Sequence, residues 1–304
     1  MAKKPYIISR PWGGSCGVGH QFCNWVVAWS LASRYGLRFV HAPFCGNLLE
    51  PQIDVAVRHW EKFLGFGAGE VREHQLPDVR RIQLPLLPWG ENNWDAIDCD
   101  NPIWKDVIEQ HKDDEDVLLE CAKNQFMRID WPYLQSQTLK ERYWKAKEDN
   151  PPIPIIFDKN KLNVAVHIRR GDVSATSSAK ARWVPTSVYV TIINQIRELY
   201  GDRVLFHIYS DAIISQLQEI AQNADVVMHL RENIFSTFHH MVVADILVTG
   251  QSSLSSLAGH LSNNVKLARP WAPFWERFPD GEKFITINAD GYFNLKELMD
   301  MKYG

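Results

Sequence analysis

The sequence lacks the features of a disulfide-rich, membrane-spanning or nucleic-acid-binding protein. Its 304 residues contain five cysteines, an odd number without a CxxC pair, which indicates neither a disulfide framework nor a zinc site. No apolar run approaches the ~18 residues of a membrane span. Lys plus Arg number 33 against 36 for Asp plus Glu, a formal net charge of -3, so nothing draws the chain as a whole towards nucleic acid or anionic membrane. Any anion site must therefore be local.

The chain also lacks an Asn-x-Ser/Thr acceptor site and a recognisable amino-terminal leader, because its basic start is followed by only a very short apolar run. These absences predict a cytoplasmic protein with reduced cysteines. The hydrophobic content of 45% is enough for a large core, and the length suits about two domains.

What the sequence does contain is a regular α/β pattern, interrupted by the proline-rich segment DNPPIPI at 149–155. We therefore expect an amino-terminal domain at 1–150 and a carboxyl-terminal domain at 151–304, whose last helix can pack back on the first domain. Alternating strands and helices predict parallel sheets covered on both faces, and two such domains leave a cleft between them. The predicted strands are 6–10, 37–42, 162–168, 203–211, 224–230, 245–250 and 264–268, the last of these being the final strand, and the predicted helices are 20–36, 53–64, 115–126, 185–201, 212–222, 233–244 and 252–262.

The stretch HIRRGD at 167–172 follows a predicted apolar strand, where α/β proteins bind ligands. Arg169 and Arg170 could hold a diphosphate, because a planar guanidinium matches two phosphate oxygens. The alternative is a surface ion pair with a nearby acid. An adhesive Arg-Gly-Asp motif is disfavoured, because such a motif needs a projecting loop tip.

Two further strand ends carry polar residues. Ser210 and Asp211 end one predicted strand, and Ser252 and Ser253 open a helix directly after another. Hydroxyl groups beside the unpaired N–H groups of a helix start suit an anion, although ordinary helix capping by Ser252 or Ser253 is the alternative. Polar residues at three strand ends predict one shared site.

A glycine-rich loop, GGSCGVGHQF at 13–22, joins the first strand to the first helix. Its spacing is not the GxGxxG dinucleotide pattern and no acid ends the second strand, so NAD is disfavoured. Gly17 and Gly19 would let the backbone approach a ligand. His20 would begin the helix as a general base, or alternatively as a capping or supporting histidine.

Other chemistry-bearing stretches have simpler interpretations. The DCD at 98–100 resembles a metal-binding DxD but follows no clear apolar strand, and HKDDED at 111–116 is typical of a solvated acidic face. Most of the tryptophans are expected in the core, while Trp183, Trp271 and Trp275 could stack on a sugar ring.

Taken together, these motifs resemble those of the GDP-fucose-dependent α1,2-, α1,6- and protein O-fucosyltransferases. HIRRGD is similar to their HxRR motif, YSD and ADILVTGQSSLSSLAGHLS to their two later motifs, and GGSCGVGHQF with LASRYGLRFV to their glycine-rich opening. The resemblance covers roughly 10–42 and 160–268. It implies the GT-B architecture, two Rossmann-like domains facing across a cleft, with inverting transfer that requires no metal and no cofactor.

The resemblance also implies roles for individual residues. Arg169 would hold the β-phosphate and stabilise the departing GDP, with Arg170 supporting it, while His167 and Asp245 would contact the guanine nucleoside. The remaining donor-binding residues implied by position are Gly17, Gly19, Ser210, Asp211, Ser252 and Ser253.

The sequence departs from the family at the expected base. The glutamate that α1,6 enzymes carry beyond the HxRR motif is missing from VSATSSAKAR, so we hypothesise that His20 is the base or positions the acceptor, with Asp172 as the alternative. The expected partners are a nucleotide sugar and a glycan acceptor, without nucleic acid or membrane. Two alternatives stay open: another donor such as UDP-xylose, and a non-catalytic glycan- or nucleotide-binding protein. Because family members in animals and plants usually carry an anchor, a bacterial or viral enzyme or a trimmed form is expected.

Overall fold

A computed structural model describes most of the chain, which forms two compact units. The first unit covers the described residues up to 150 and the second those from 153 onwards. The described ranges are 4–10, 17–44, 53–87, 99–122, 136–150, 153–269 and 282–303, with the backbone alone at 53–58 and 303.

The first unit contains a parallel five-stranded sheet in the order β3-β2-β1-β5-β4. Its strands are β1 Tyr6–Ile8, β2 Arg38–His41, β3 Val71–Arg72, β4 Arg80–Gln83 and β5 Val117–Glu120. Its described helices are α1 Val18–Tyr35, α2 Ile53–Leu64, α3 Pro102–Gln110 and α4 Ser136–Glu148. The predicted β-loop-α-β opening is therefore confirmed.

Helix α1 begins two residues earlier than predicted and ends as the glycine indicates. Gly36 follows the last turn in the left-handed conformation, with φ 64°, and its N–H donates to the Ala32 carbonyl. Glycine adopts this conformation without a Cβ clash, so it terminates the helix at low cost. The buried face of α1 presents Trp25 and Trp29, whose rings stack 5.2 Å apart, to the core of this unit.

One predicted element of the first unit is wrong. The segment 115–126 was expected to be helical, but its described part contains strand β5, which lies directly beside β1. The run VLLE is short and almost completely buried, and periodicity alone does not distinguish a short apolar strand from a helical turn. Its partner β1 decides the outcome.

The second unit contains a parallel six-stranded sheet in the order β11-β10-β9-β6-β7-β8. Its strands are β6 Leu162–Ile168, β7 Val204–Ser210, β8 Val226–Leu230, β9 Ile246–Val248, β10 Val265–Ala268 and β11 Phe284–Thr286. Its described α-helices are α5 Thr186–Tyr200, α6 Gln218–Ala221, α7 Ile234–Val243, α8 Ser253–Leu261 and α9 Leu295–Tyr303.

The sequence pattern predicts most of this unit, with two corrections. The helix expected at 212–222 is a 3-10 turn at Ile214–Leu217 followed by the single turn α6. The segment 264–268 does not hold the last strand, because β11 pairs with β10. Helix α9 packs against α5 and β10 of its own unit, and the expectation that the last helix can also pack on the first domain stays a prediction.

A chain of buried histidines lies on one face of the second sheet. The His207 Nδ1 and His229 Nε2 atoms are 3.1 Å apart, His207 Nε2 lies 3.2 Å from Asn163 Oδ1, and His229 Nδ1 lies 3.0 Å from Glu232. The Asn163 side-chain nitrogen donates to two carbonyls, so its oxygen is an acceptor and His207 Nε2 must carry a proton. Burial lowers the pKa of His207 to about 4.

This shift makes the stability of the protein depend on pH. The pKa of a histidine in an unfolded chain is about 6.5, so the unfolded state binds a proton at a higher pH than the folded state. The contribution of neutral His207 to the free energy of unfolding is therefore complete above about pH 6.5 and is lost as the pH falls towards 4. We expect the free energy of unfolding to fall by about 1–2 kcal/mol through His207 between about pH 7 and pH 5. Urea denaturation of the wild type and His207→Gln checks this, and equal pH slopes would contradict it.

Candidate active site

The candidate site lies where the strand order of the second sheet reverses. From β6 the chain proceeds to β7 and β8 on one side and then returns to β9 on the other side of β6. Ligands of open α/β sheets bind at such a switch point, beyond the carboxyl ends of the strands. The ends of β6 and β9, with the loops that follow them, therefore define the site.

Gly250 allows these two strand ends to approach closely. A Cβ atom at this position would lie 2.7 Å from the His167 carbonyl oxygen and 3.0 Å from His167 Nδ1. The first of these contacts is with backbone, which cannot rotate away, so no larger residue fits here without moving a strand end. The sequence showed this glycine only as part of a motif.

His167 presents a buried nitrogen at the same point. The residue is 7% exposed, and its Nδ1 has no hydrogen-bond partner among the described residues. Burial lowers the pKa of this imidazole to about 4, against the opposing charge of Asp211. His167 is therefore neutral near pH 7, and its unpartnered nitrogen suits a polar ligand atom.

Arg169 follows β6 and forms a bidentate salt bridge with the carboxylate of Asp172. Its Nε and Nη2 atoms donate to the two oxygens of Asp172 at 2.8 and 2.6 Å. The arginine side chain is 26% exposed and the aspartate 59%. The hydrogen bonds from Arg169 lower the pKa of Asp172. The surface ion pair that was the alternative for Arg169 is therefore present at the rim of the sheet, and the contact of this guanidinium with a diphosphate stays a prediction.

Arg170, to which the resemblance gives a role supporting Arg169, points into the protein. It is 6% exposed and donates through Nη2 to the Val184 carbonyl and the Thr186 hydroxyl, and through Nη1 to the Arg169 carbonyl. Its burial also excludes an adhesive Arg-Gly-Asp loop. Arg170 ties the turn after β6 to the start of α5 and so positions Arg169.

Ser210 and Asp211 lie at the predicted edge of the sheet, where their side chains form hydrogen bonds with backbone groups. The Ser210 hydroxyl donates to the Ile168 carbonyl. Asp211 Oδ1 accepts from the backbone N–H of Arg170 at 2.6 Å, and a Cβ on Gly171 would lie 2.5 Å from Asp211 Oδ2. The aspartate therefore shapes the turn that carries Arg169, and its contact with a donor stays a prediction.

Helix α8 begins at this edge with an open amino terminus. Ser252 is its N-cap residue, yet the Ser252 hydroxyl makes no capping hydrogen bond. The Ser255 hydroxyl donates instead to the carbonyls of Gly250 and Ser252. The first N–H groups of an α-helix have no intrahelical acceptor, and the helix dipole favours an anion beside them. Ser252 and Ser253 are thus placed as predicted, without the capping bond that was the alternative for Ser252.

The open helix start has a measurable consequence. We expect Ser252→Ala to change the free energy of unfolding by less than about 0.5 kcal/mol, because no cap bond is lost. Asn233, the N-cap of α7, is the matched control, because its side chain accepts from Phe235 and Ser236. Asn233→Ala should cost about 1 kcal/mol in the same denaturation assay. An equal loss in both variants would show that Ser252 does cap α8.

Asp245 lies away from the strand ends that define this site, and its contact with the nucleoside stays a prediction. It directly precedes β9, at the amino edge of the sheet, where it accepts from the Asn163 N–H at 2.9 Å and from Lys302 Nζ at 2.7 Å. The register pairs Val164 with Ile246, whereas the site begins at His167. Asp245 joins β6, β9 and α9 at the far end of the strands.

The described part of the glycine-rich loop belongs to the first unit. Gly17 is the N-cap of α1, and a Cβ on it would meet nothing within 4 Å. Gly19 and His20 lie in the first turn of α1, where His20 is half-buried and its backbone N–H donates to the Gly17 carbonyl. Residues 13–16 lie outside the described ranges.

A cluster of four charged residues lies at the carboxyl edge of the first sheet. Arg10, directly beyond β1, donates to Glu73 at 2.7 Å and to Glu120 at 2.8 Å, and Arg81 contacts the same two glutamates at 2.9 and 2.6 Å. Hydrogen bonds from Arg10 lower the pKa of Glu73 to about 2. The sequence did not single out this cluster, because its members are distant along the chain.

The remaining predicted stretches contribute little here. Asp100 pairs with Arg34 at 2.7 Å and Cys99 is buried, while Asp98, Trp271 and Trp275 lie outside the described ranges. Within those ranges no group of three or more His, Cys, Asp or Glu residues is arranged to hold a metal ion. No described helix is both long and apolar enough to cross a membrane.

Comparison with known proteins shows similarity in structure alone. No protein-family model matches the sequence, and no curated protein matches it. Among solved structures, POFUT1 in complex with GDP is 15% identical, covering 87% of this chain and 98% of that chain with a TM-score of 0.51. NodZ α-1,6-fucosyltransferase co-crystallized with GDP is 14% identical, with coverages of 96% and 98% and a TM-score of 0.49. Fucosyltransferase NodZ from Bradyrhizobium is 14% identical, with coverages of 86% and 94% and a TM-score of 0.46. The chain therefore has an α/β fold of two parallel sheets similar to that of POFUT1, as its fucosyltransferase-like motifs predict.

Proposed function

We propose that the protein is a glycosyltransferase of the GT-B type that moves L-fucose from GDP-fucose to a hydroxyl group of a glycan. The transfer inverts the configuration at the sugar carbon and needs no metal ion. The similarity in fold to POFUT1, which was solved with GDP, supports a nucleotide-binding role. The motifs shared with the fucosyltransferases support the choice of donor.

The observation that carries this proposal is the convergence of three anion- or polar-binding elements at one switch point. These are the outward guanidinium of Arg169, the uncapped start of α8 at Ser252, and the unpartnered His167 Nδ1. Their strand ends are adjacent, because β6 pairs with β9. A diphosphate suits this edge because it carries several negatively charged oxygens. Some of these oxygens can accept from the Arg169 guanidinium while others accept from the N–H groups at the start of α8.

The chemistry follows from where charge develops. The acceptor oxygen attacks the anomeric carbon of fucose from the face opposite GDP, and the bond from that carbon to the β-phosphate oxygen breaks. The electron pair leaves with GDP, where Arg169 and the α8 N–H groups stabilise the added negative charge. A base removes the proton of the acceptor hydroxyl. Fixed protein cations thus perform the role that a metal ion performs in other transferases.

Donor and acceptor are assigned to different units. The second unit holds the donor diphosphate, with Ser252, Ser253 and Arg169 at the phosphates and His167 at the nucleoside. The first unit supplies the acceptor side, with His20 as the base and Gly17 and Gly19 allowing a close approach. We assign the acceptor hydroxyls to the sheet edge that carries the charged cluster of Arg10 and Glu120, which are hydrogen-bonded to each other.

Calorimetry followed by a turnover assay tests the proposal. The purified protein is titrated with GDP, UDP, GDP-fucose and UDP-xylose without metal, and the preferred donor is then incubated with glycan acceptors. Micromolar binding of GDP, with release of GDP from GDP-fucose in the presence of an acceptor, is expected. A preference for UDP would overturn the donor assignment. Donor binding without turnover on any acceptor would favour the non-catalytic alternative.

A further inference from the structure

A second outward arginine lies on the same edge as Arg169, at a position that no motif indicated. The register pairs Ile168 with Ser210 and Ser210 with Leu230. Arg169, Asp211 and Arg231 are therefore the first residues beyond three adjacent strands, at the same level of the sheet. Neighbouring strands are about 4.8 Å apart, which places the Cα atoms of Arg169 and Arg231 about 10 Å apart.

The backbone of Arg231 is held in an unfavourable conformation. Its φ is 55°, and no other non-glycine residue in the described ranges has a positive φ. Its N–H donates to the Ser210 carbonyl at 2.8 Å, which fixes the turn at the end of β8. Left-handed backbone favours glycine or asparagine over a long side chain, and residues kept in it are concentrated at functional sites.

The side chain of Arg231 is oriented but not neutralised. Its Nε donates to the Asp211 carbonyl at 3.2 Å, while no carboxylate in the described ranges forms an ion pair with it. The residue as a whole is exposed to solvent. The carboxylate of Asp211 faces the backbone of Arg170 and Gly171 instead. Arg231 thus presents an unpaired positive charge at the rim of the candidate site.

We propose that Arg231 is the second arginine of the diphosphate clamp, in the place that the sequence suggested for Arg170. Two extended arginine side chains together span more than the separation of Arg169 and Arg231, so both guanidinium groups can reach one diphosphate between them. Arg169 binds one phosphate from β6 through the part of its guanidinium that does not contact Asp172, and Arg231 binds the other from β8 through its terminal amino groups. This inference rests on the proposed function, because it concerns the donor diphosphate of the same site.

The glycine variant separates binding from folding. Arg231→Gly removes the guanidinium and relieves the positive φ, so we expect an unchanged or higher melting temperature together with at least about tenfold weaker binding of GDP, UDP and inorganic pyrophosphate. All three probes should weaken equally, because a phosphate contact does not depend on the base. Calorimetry and a thermal melt measure the two effects on the same samples.

Arg203→Ala is the matched control, because Arg203 is also exposed and also donates through Nε to a carbonyl, that of Tyr200. It lies at the opposite edge of the sheet, before β7, so binding should stay unchanged. Wild-type affinity in Arg231→Gly would overturn the clamp and leave the proposed function intact. Weaker binding of GDP alone would instead make Arg231 a base contact and also overturn the clamp. Failure of the wild type to bind any of the three probes would overturn both proposals.

Discussion

Replacing Arg169 by alanine is expected to reduce turnover at least about 100-fold and to weaken GDP binding at least about tenfold, with little effect on folding. The side chain is partly exposed, and its hydrogen bonds through the guanidinium are made to Asp172. Its loss therefore leaves no buried group unpaired, while the leaving diphosphate loses a charge-assisted contact. Single-turnover kinetics with GDP-fucose and calorimetry with GDP measure the two effects.

The second unit contains a close control for this substitution. Arg197 also forms a bidentate salt bridge, in which its Nε and Nη2 atoms donate to the carboxylate of Asp225 at 2.6 and 2.9 Å. Its side chain is 30% exposed, similar to the 26% of Arg169. Arg197 lies in the last turn of α5, and Asp225 directly precedes β8, at the amino edge of the sheet. Arg197→Ala should leave GDP affinity and turnover unchanged. Equal losses in both variants would mean that Arg169 acts through folding, and retained turnover in Arg169→Ala would refute its role.

Replacing His20 by alanine is expected to reduce turnover by about 10²- to 10⁴-fold while sparing GDP binding, because a general base contributes only to the chemical step. His20 lies in the first turn of α1, in a different unit from the residues proposed to hold the diphosphate. The expected result is therefore a lower kcat with an unchanged Kd for GDP. A pH–rate profile that loses its acidic limb in the variant would identify the titrating group.

Asp172 is the alternative base, and the structure makes it the weaker candidate. Its hydrogen bonds with Arg169 lower its pKa, and a carboxylate that holds a proton less readily is a poorer base. Asp172→Asn tests this directly alongside His20→Ala. If the aspartate variant loses turnover and His20→Ala retains it, the base is Asp172 and the hypothesis for His20 is wrong.

The local sequence predicted the second unit well, because each of its central strands is an apolar run followed by a polar residue or glycine. Strands β6, β7 and β9 form within the predicted segments LNVAVHI, VLFHIYS and DILVTG. The polar residues expected at the carboxyl edge of the sheet follow these strands. Short elements were predicted less well. Both VLLE at 117–120 and the segment 212–222 have an apolar pattern that suits more than one structure, and contacts with neighbouring elements decide between them.

In the candidate site, too, local sequence predicts which residues lie at the strand ends, whereas tertiary contacts decide what each side chain does. Arg169 and Arg170 are adjacent and chemically identical, so their residue types alone do not distinguish their roles, and only the resemblance to the family does. In the folded chain, Arg170 is held by the Val184 carbonyl and Thr186, whereas Arg169 faces outwards. Asp245 belongs to a recognisable motif, but the parallel register places it at the opposite end of the strands.

The sequence by itself determined the α/β class, the strand ends that carry polar residues and the resemblance that suggests a donor, because these depend on patterns within short segments. Only the tertiary structure decided which arginine is exposed, that Gly250 must lack a side chain beside His167, and that Arg231 lies level with Arg169. The physical reason is that the order of strands in a sheet brings together residues far apart in the chain, and burial then decides which polar groups keep an unpaired donor for a ligand.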